Sequence, residues 1–375
     1  MRRVGTASLP LHHGKAPRWL TERMTKLARQ IVAIIIDEYG QGTFLRRISD
    51  PHWFQALGCT LGYDWHSSGL TTVLTAVLKT ATNPTEQGIA VCGGKGRLSR
   101  KAPSEITQIA QTFGFSTDRI SRLQYASRMS AKVDNTAIQA GYPLYHHAIL
   151  ITERGKWAVV QQGMCTKDRT ARRYHWLSQH VKDFLTEPHE AIVGDKKRQI
   201  ALDMTATQSI ECQKACTDIA KEKPTKVRRM LKSIRPKYQK SLQEWMPKSQ
   251  QKDYVIDTLY MPRNLNWKAI GKAYEFQPQN YEELLNINGV GPATVRCLAL
   301  ISELIYGKPP SWRDPVKYSF AYGGKDGVPY PVDRKAMDKS IRILQNGVEK
   351  AKIGDRERLR ALERLRKYVP LDHEI

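Results

Sequence analysis

The sequence predicts an α+β N-terminal domain whose sheet contains a β-hairpin, followed by a mainly α-helical C-terminal domain. The clearest β signal is the run LYHHAILITERGKWAVVQQGM (144–164), in which two apolar, β-branched stretches flank a turn. Apolar residues at helical spacing dominate most of the remaining chain. Nine of the ten histidines lie at or before His189, so the two halves also differ in the chemistry they can support.

Local patterns predict the individual elements. Amphipathic helices are expected wherever apolar residues return every three or four positions. The run GIAVCGGKG is typical of a short strand that ends in a glycine turn. The predicted helical stretches are residues 17–39, 67–79, about 103 onward, 117–139, most of 175–240, and most of the chain after 261 except a Gly/Pro/Tyr-rich loop (309–331).

The hairpin pattern predicts which side chains lie opposite one another. The strands 144–152 and 157–164 would be joined by a two-residue turn at Arg154-Gly155. That turn sets His147 opposite Gln162. Because successive residues of a strand point to opposite faces, His146 and His147 cannot bind one ligand from the same face.

The chain is predicted to have three parts: a catalytic α+β domain (1–205), a basic helical linker region (206–260) and a helical DNA-binding domain (261–375). The longest apolar run, residues 31–36, is too short to cross a membrane, and the N-terminus has no apolar signal core. We therefore expect a cytoplasmic protein without a membrane partner. The six cysteines are spread thinly, which is typical of reduced thiols and not of a disulfide scaffold or structural zinc.

The strongest global feature is charge. The chain has 60 Lys and Arg against 36 Asp and Glu, a formal net charge of +24. Such an excess favours a polyanionic partner, and double-stranded or structured DNA is the predicted one. Residues 221–240 contain nine Lys or Arg and one acid, so this stretch is either a solvated linker helix or a contact to the DNA backbone. The predicted contacts are Lys226, Arg228 and Arg229, with Arg172 and Arg173 in the run ARRYHW.

The stretch NINGVGPATVRCLAL (286–300) places two glycines between two helical patterns. Both glycines would take positive φ, and Pro292 suits the first turn of the second helix. The amides of that first turn would then form an anion site. The stretch resembles the helix-hairpin-helix motif, which implies contact with DNA backbone without base reading. The DNA-binding residues so implied are Gly289, Val290, Gly291, Ala293, Thr294 and Arg296.

The same stretch also occurs in base-excision glycosylases of the helix-hairpin-helix–Gly/Pro–Asp type, in which a Val-Asp pair follows the hairpin. Here Val332-Asp333 follows the loop GGKDGVPYP. The resemblance implies that Asp333 stabilises an oxocarbenium-like centre at the sugar. The lyase lysine of bifunctional members would fall at Ala293, so only a monofunctional enzyme fits. Alternatively, Asp333 is the N-cap of the next helix.

A second candidate site surrounds the hairpin. Asp134, His146, His147 and His175 supply the carboxylate and imidazole groups that a phosphodiesterase uses with a divalent metal. Asp134 and His147 are the predicted ligands of Mg²⁺ or Mn²⁺. The acid-x-lysine step of restriction-like nucleases is missing. For each histidine the alternative is a hydrogen-bonded structural role.

Six stretches together resemble a prokaryotic family defined by domain of unknown function 763: GTASLPLHHGKAPRWL, GYDWHSSGLTT, SRMSAKVDNTAIQ, YHHAILIT, WAVVQQGM and ARRYHW. The resemblance covers nearly the whole chain and implies a bacterial or archaeal intracellular protein, but it supplies no reaction. From the residues, the leading hypothesis is a DNA-processing enzyme of the repair type, a metal-dependent nuclease. The alternatives are a monofunctional glycosylase that uses Asp333 and a non-enzymatic DNA-binding or recruiting protein. The oligomeric state stays open.

Overall fold

The protein has an α+β fold, as predicted, in which an antiparallel five-stranded sheet lies between two groups of helices. The computed structural model describes residues 16–63, 68–194, 197–234, 264–316, 334–351 and 354–368.

The helices in chain order are α1 (Arg18–Tyr39), α2 (Gln41–Ser49), α3 (Pro51–Thr60), α4 (Gly69–Ala81), α5 (Pro84–Gln87), α6 (Ala102–Phe113), α7 (Thr117–Lys132), α8 (Ile210–Ala220), α9 (Pro224–Ile234), α10 (Trp267–Phe276), α11 (Tyr281–Asn286), α12 (Pro292–Tyr306), α13 (Arg334–Lys350) and α14 (Asp355–Tyr368). The strands are β1 (Ile89–Lys95), β2 (Ile138–Gln139), β3 (Leu144–Thr152), β4 (Trp157–Cys165), β5 (Thr170–Leu177), β6 (Ala191–Gly194) and β7 (Leu202–Asp203). The predicted bounds of α1, α4 and the two hairpin strands are confirmed to within two residues.

The first helix shows how local sequence sets an element. Met24, Leu27 and Ile31 recur at helical spacing and are buried on one face of α1. The helix ends at Gly40, which takes φ +78° and donates its amide to the Ile36 carbonyl at 2.8 Å. In the described part of the chain, neither α1 nor any other helix is long and apolar enough to cross a membrane.

The sheet has the strand order β1-β3-β4-β5-β6, and every neighbouring pair is antiparallel. The strands β3, β4 and β5 follow one another directly, because short turns suffice to join antiparallel neighbours. β1 pairs with the outer side of β3, so β3 lies inside the sheet. β2 and β7 form a separate two-stranded ladder.

The predicted register of the hairpin is wrong by one residue. The Thr152 amide donates to the Lys156 carbonyl at 2.9 Å, so three residues form the loop where two were expected. Gly155 takes φ +76° in this loop. His147 therefore lies opposite Gln161, and His146 lies opposite Gln162. The expectation that the two histidines point to opposite faces follows from alternation and holds in either register.

The prediction that residues 175–240 are mostly helical is wrong in its first part. β5 ends at Leu177 and β6 occupies residues 191–194. Regular α-helix resumes only at α8. All eight residues of β5 are buried, because helices cover both faces of the sheet. A strand buried on both faces has no alternation of apolar and polar residues to reveal it. The helix predicted over 117–139 likewise ends at Lys132, and a π-helical turn (Val133–Ala137) follows it.

Each face of the sheet has its own hydrophobic core. One core combines α1–α4 with the last two helices, so that Leu344 of α13 and Leu365 of α14 pack with residues such as Met24. The other combines α6–α9 with α10, α11 and α12. Both cores contain residues from before 205 and after 261. The predicted division into 1–205, 206–260 and 261–375 stays a prediction.

The close approach of two backbones beside β4 makes Gly163 sensitive to substitution. A Cβ at Gly163 would lie 2.1 Å from the Tyr142 carbonyl oxygen, whereas a Cβ at the helical Gly271 would meet nothing within 4 Å. Gly163→Ala should lower the free energy of unfolding by about 1–3 kcal/mol, the cost of overpacking. The matched Gly271→Ala should raise it by up to about 1 kcal/mol through helix propensity. Denaturant titrations measure both, and equal stabilities of the two variants would contradict this reading of the sheet.

Candidate functional site

Two rows of polar side chains cross the sheet on its opposite faces. All six members are less than 9 % exposed, so each polar group has to find a partner inside the protein. The row facing α4 consists of His146, Gln162 and Arg173, and the row facing α7 consists of His147, Gln161 and Tyr174.

The row facing α7 is anchored by Asp134, which lies in the π-helical turn and is 1 % exposed. One carboxylate oxygen accepts hydrogen bonds from Trp176 Nε1 at 2.9 Å and from Gln161 Nε2. The other oxygen contacts His189 Nε2. Gln161 Nε2 also donates to the Ser130 carbonyl at 2.9 Å. Because both of these partners are acceptors, the orientation of the Gln161 amide is fixed.

That orientation fixes the tautomer of His147. Gln161 Oε1 lies 2.8 Å from His147 Nδ1, and an amide oxygen only accepts, so Nδ1 carries the proton. The Nε2 lone pair of the neutral ring then accepts from the Ser127 hydroxyl at 2.9 Å. Burial lowers the pKa of His147, which keeps the ring neutral near pH 7. The result is a hydrogen-bonded series from Asp134 through Gln161 and His147 to Ser127, which we call the polar relay.

The row facing α4 is a second network. His146 Nε2 lies 3.1 Å from Thr75 Oγ1, while its Nδ1 is buried and has no hydrogen-bond partner among the described residues. Burial lowers the pKa of His146 to about 3. Gln162 bonds to Thr71 and to the Tyr145 hydroxyl, which ties β4 to α4. His146 therefore lies on the other side of the sheet from the polar relay.

The predicted DNA contacts Arg172 and Arg173 are corrected by their burial. Both are 0 % exposed, so neither reaches a surface on which DNA could lie. Arg172 forms a buried salt bridge with Asp314 at 2.7 Å. Arg173 Nε donates to His175 Nε2 at 2.9 Å, and His175 Nδ1 lies 3.2 Å from the Ile48 carbonyl. Burial lowers the pKa of His175, whose two nitrogens are both engaged, so a catalytic role for this histidine does not fit.

The predicted metal ligands Asp134 and His147 do not fit a shared ion. Gln161 stands between them, and each has its lone pairs or protons engaged by protein partners. The other predicted imidazoles, those of His146 and His175, face the opposite side of the sheet. Among the described residues, no group of three or more His, Cys, Asp or Glu side chains is arranged to hold a metal.

The polar relay ends at a cleft of about 480 Å³. Ser127 and His147 line it, together with Tyr145. Tyr145 also lines a larger cleft of about 1470 Å³ between α1, α4 and β1, so the two clefts meet there. The described residues lining the smaller cleft include no Asp or Glu, and those lining the larger one include only Glu22. The cations are Arg100, Arg128 and Lys132 in the smaller cleft, and Arg18, Lys26, Arg29, Lys79 and Lys95 in the larger one.

The turn between α11 and α12 contains the two glycines singled out in the sequence. Gly289 takes φ +95°, as expected, and its carbonyl accepts from Asn266 Nδ2 at 3.3 Å. Gly291 does not take positive φ: it is extended, with φ −134° and ψ −173°. A Cβ at Gly291 would meet nothing within 4 Å, and no side-chain hydrogen bond caps α12. The space in front of the first turn of α12 is therefore open on the side of Gly291.

This turn adjoins the smaller cleft. The ammonium group of Lys132, which lines the cleft, donates a hydrogen bond to the Val290 carbonyl. Gln139 Nε2 donates to the Pro292 carbonyl at 2.9 Å. Val290 and Thr294 are almost fully buried, so these two predicted DNA contacts support the turn from inside.

The remaining predicted DNA contacts lie at or near the surface. Lys226, Arg228 and Arg229 are exposed on α9. Lys226 is paired with Glu222 at 2.6 Å, and the Arg228 guanidinium stacks over the Trp267 ring with its carbon 4.5 Å from the ring centroid. Arg296 is half-buried on α12. Asp333, the candidate glycosylase residue, lies outside the described residues.

Comparison with known proteins supplies the family. A family model described as "Protein of unknown function (DUF763)" matches residues 5–332. The chain belongs to this family. No curated protein and no solved structure shows a significant match.

The sequence analysis of this DUF763 chain missed the residues that line the smaller cleft on α7. Ser127 is the first residue of the family-like stretch SRMSAKVDNTAIQ, but its pairing with His147 depends on the packing of a helix across a strand. Arg128 and Lys132 of the same stretch are four residues apart and therefore share one side of a helix.

Burial of neutral imidazoles makes the stability of this DUF763 protein depend on pH. The folded-state pKa of His146 is about 3, whereas an unfolded histidine titrates near pH ~6.5. The unfolded state therefore takes up the proton first as the pH falls, and stability is lost from pH ~6.5 downward. His146→Gln should reduce the slope of the free energy of unfolding between pH 6 and 4 by up to about 1.4 kcal/mol per pH unit.

Denaturant titrations across this pH range measure the slope. Ser49→Ala is the control, because it changes a buried polar group without removing an imidazole, and it should keep the slope of the parent. An unchanged slope in His146→Gln would show that this histidine is not buried neutral in the folded protein.

Proposed function

We propose that this protein binds DNA through the phosphate backbone and acts in DNA processing of the repair type. The observation that carries the proposal is the turn between α11 and α12. The first-turn amides of a helix are orphan donors with partial positive charge, and no side chain caps those of α12. The empty space at Gly291 lets a phosphate approach them.

The surroundings of the turn supply cations. Lys132 contacts the turn and lines the smaller cleft with Arg128 and Arg100. The larger cleft continues beyond Tyr145 with five further Lys or Arg side chains and one carboxylate. A net charge of +24 adds long-range attraction for a polyanion. The proposed path of the backbone therefore runs from the turn into the clefts, and exposed α9 provides a second set of contacts.

Contacts of this kind are to phosphate, so binding should tolerate any base sequence. The similarity of the turn to the helix-hairpin-helix motif supports the same expectation. The metal-dependent nuclease and the Asp333 glycosylase gain no support from the described residues. A non-enzymatic DNA-binding protein shares the binding site and differs only in the absence of turnover.

Gly291→Val tests the turn without disturbing it, because Gly291 is extended and a Cβ there meets nothing within 4 Å. The new side chain would stand between the α12 amides and a phosphate. We expect duplex DNA to bind about 5- to 150-fold more weakly, which corresponds to about 1–3 kcal/mol, the cost of losing one or two hydrogen bonds to a charged acceptor. Fluorescence anisotropy at 50 and 200 mM salt measures the loss.

The matched control is Gly354→Val. Gly354 also precedes a helix and has empty space around its Cβ position, but Asp355 and Glu357 occupy the first turn of α14 and would repel a phosphate. This variant should bind DNA like the parent. If a folded Gly291→Val protein binds DNA with the parental affinity, the turn does not contact the DNA backbone.

The second test concerns the surface of α9. Salt dependence counts the phosphates that are neutralised, and the slope of log K against log salt changes by about 0.9 for each contact with duplex DNA. Arg229→Gln should therefore reduce the slope by about 0.9. Lys350→Gln is the control, because Lys350 is exposed on α13, which packs on the other face of the sheet, and it is paired with Glu38. Equal slopes for the two variants would place α9 outside the DNA path.

A further inference from the structure

We infer that Ser127 is a nucleophile, that His147 is its general base, and that the pair cleaves phosphodiesters in the smaller cleft. DNA as the substrate rests on the proposed function, whereas the chemistry of the pair rests on the cleft itself. The inference goes beyond DNA binding because it assigns a reaction, a substrate class and two catalytic residues.

The pairing has the geometry that an activated serine requires. His147 Nε2 lies 2.9 Å from the Ser127 hydroxyl oxygen, and the tautomer set by Gln161 leaves a lone pair on Nε2 to receive the proton. Both residues line the wall of the cleft, each with only a small exposed fraction, so a ligand that fills the cleft would lie against them. A serine, its base and a third group that orients the base make up the arrangement by which nucleophilic hydrolases are recognised.

Gln161 and Asp134 are positioning residues in this arrangement. Gln161 holds the His147 ring through Nδ1, and Asp134 holds the Gln161 amide. Neither touches the cleft: they are almost fully buried and absent from its lining. Their role is to present a neutral imidazole with its lone pair towards Ser127.

The lining of the cleft selects an anionic substrate. Arg100, Arg128 and Lys132 surround a space whose described lining residues include no Asp or Glu. Cations positioned around a phosphate stabilise the charge on its equatorial oxygens during transfer. An acyl ester is neutral in its ground state, so three cations would contribute little to binding it. The lining therefore favours a phosphodiester over a carboxylic ester.

The first step forms a phosphoserine diester. The Ser127 oxygen attacks phosphorus while its proton passes to His147 Nε2. The bond from phosphorus to the leaving oxygen breaks, and the His147 proton passes to that oxygen, so the first product leaves as an alcohol.

A water molecule completes the cycle. It attacks the phosphorus while giving a proton to His147, the bond from phosphorus to the Ser127 oxygen breaks, and that oxygen recovers the proton. The sum is hydrolysis of one phosphodiester to an alcohol and a phosphate monoester, with one water consumed.

The location of the cleft joins this chemistry to the turn before α12. Lys132 lines the cleft and also donates to the Val290 carbonyl of the turn. A backbone held at the α12 amides would therefore have neighbouring phosphates beside Ser127. The turn before α12 would bind the DNA backbone, and Ser127 in the smaller cleft would cleave it.

Two measurements on the intact protein test the inference. The first is hydrolysis of bis(4-nitrophenyl) phosphate, with 4-nitrophenyl acetate in parallel, in the presence of EDTA. The second is labelling by a fluorophosphonate probe, followed by peptide mass spectrometry. We expect release of nitrophenol from the diester, little from the acetate, and a covalent adduct on Ser127. The labelling uses the unmutated protein, so it does not depend on whether a variant folds.

Variants then assign the roles. Ser127→Ala and His147→Gln should each lower diester hydrolysis by at least about 100-fold, the scale of a positioned base or nucleophile. Ser49→Ala is the matched control, because Ser49 is an equally buried helical serine whose hydroxyl donates to the Leu45 carbonyl and away from the cleft. It should retain the parental rate. Circular dichroism and thermal melting check that each variant is folded.

The outcomes separate this inference from the proposed function. Ser127→Ala should lose hydrolysis of the small diester and bind duplex DNA with the parental affinity, so hydrolysis and DNA binding are measured separately. No adduct and no diester hydrolysis in the parent, or parental hydrolysis in folded Ser127→Ala, would overturn the inference and leave DNA binding intact. Hydrolysis of the acetate alone would overturn the assigned substrate class.

Discussion

One buried carboxylate, that of Asp134, fixes the hydrogen-bond network on the α7 face of the sheet. A carboxylate away from water is costly unless donors surround it, and this one contacts an indole, an amide and an imidazole drawn from three segments. The hydrogen bonds to the carboxylate fix the positions of these three donor groups. The orientation of Gln161, the tautomer of His147 and the acceptor that faces Ser127 all follow from that requirement.

The neutral amide between Asp134 and His147 also has an electrostatic effect. A carboxylate in direct contact with an imidazole favours the charged ring and raises its pKa. Here Gln161 makes that contact instead. Burial lowers the pKa of His147, and it outweighs the hydrogen bond of Gln161 and the charge of Asp134, which both raise that pKa. The arrangement therefore orients the ring as a carboxylate would, while burial still disfavours its charged form.

The parts of the fold that sequence predicts have either a solvated face or a clear turn. α1 has a solvated face, whereas the hairpin strands are almost entirely buried and were recognised from two apolar runs that flank a turn. The bounds of these elements were predicted to within two residues. β5 is buried on both faces, so its pattern carries no period; no strand was predicted there, and its last three residues were included in the predicted helical region 175–240. The register of the hairpin was missed because Gly155 closes a three-residue loop, which composition does not distinguish from a two-residue one. The Ser127–His147 pair joins a helix to a strand 20 residues later, and no local pattern encodes such a contact.

The packing of α13 and α14 against α1 limits how early the protein can complete its folding during synthesis. Met24 of α1 and Leu365 of α14 belong to one core, and Arg364 donates to the Thr60 carbonyl at the end of α3. A contact between residues so far apart in sequence closes a large loop and forms late in folding. During synthesis the part of α1 and α3 that α13 and α14 cover would therefore remain exposed until these two helices have left the ribosome. Nascent chains stalled before α13 would expose this part and be prone to aggregation.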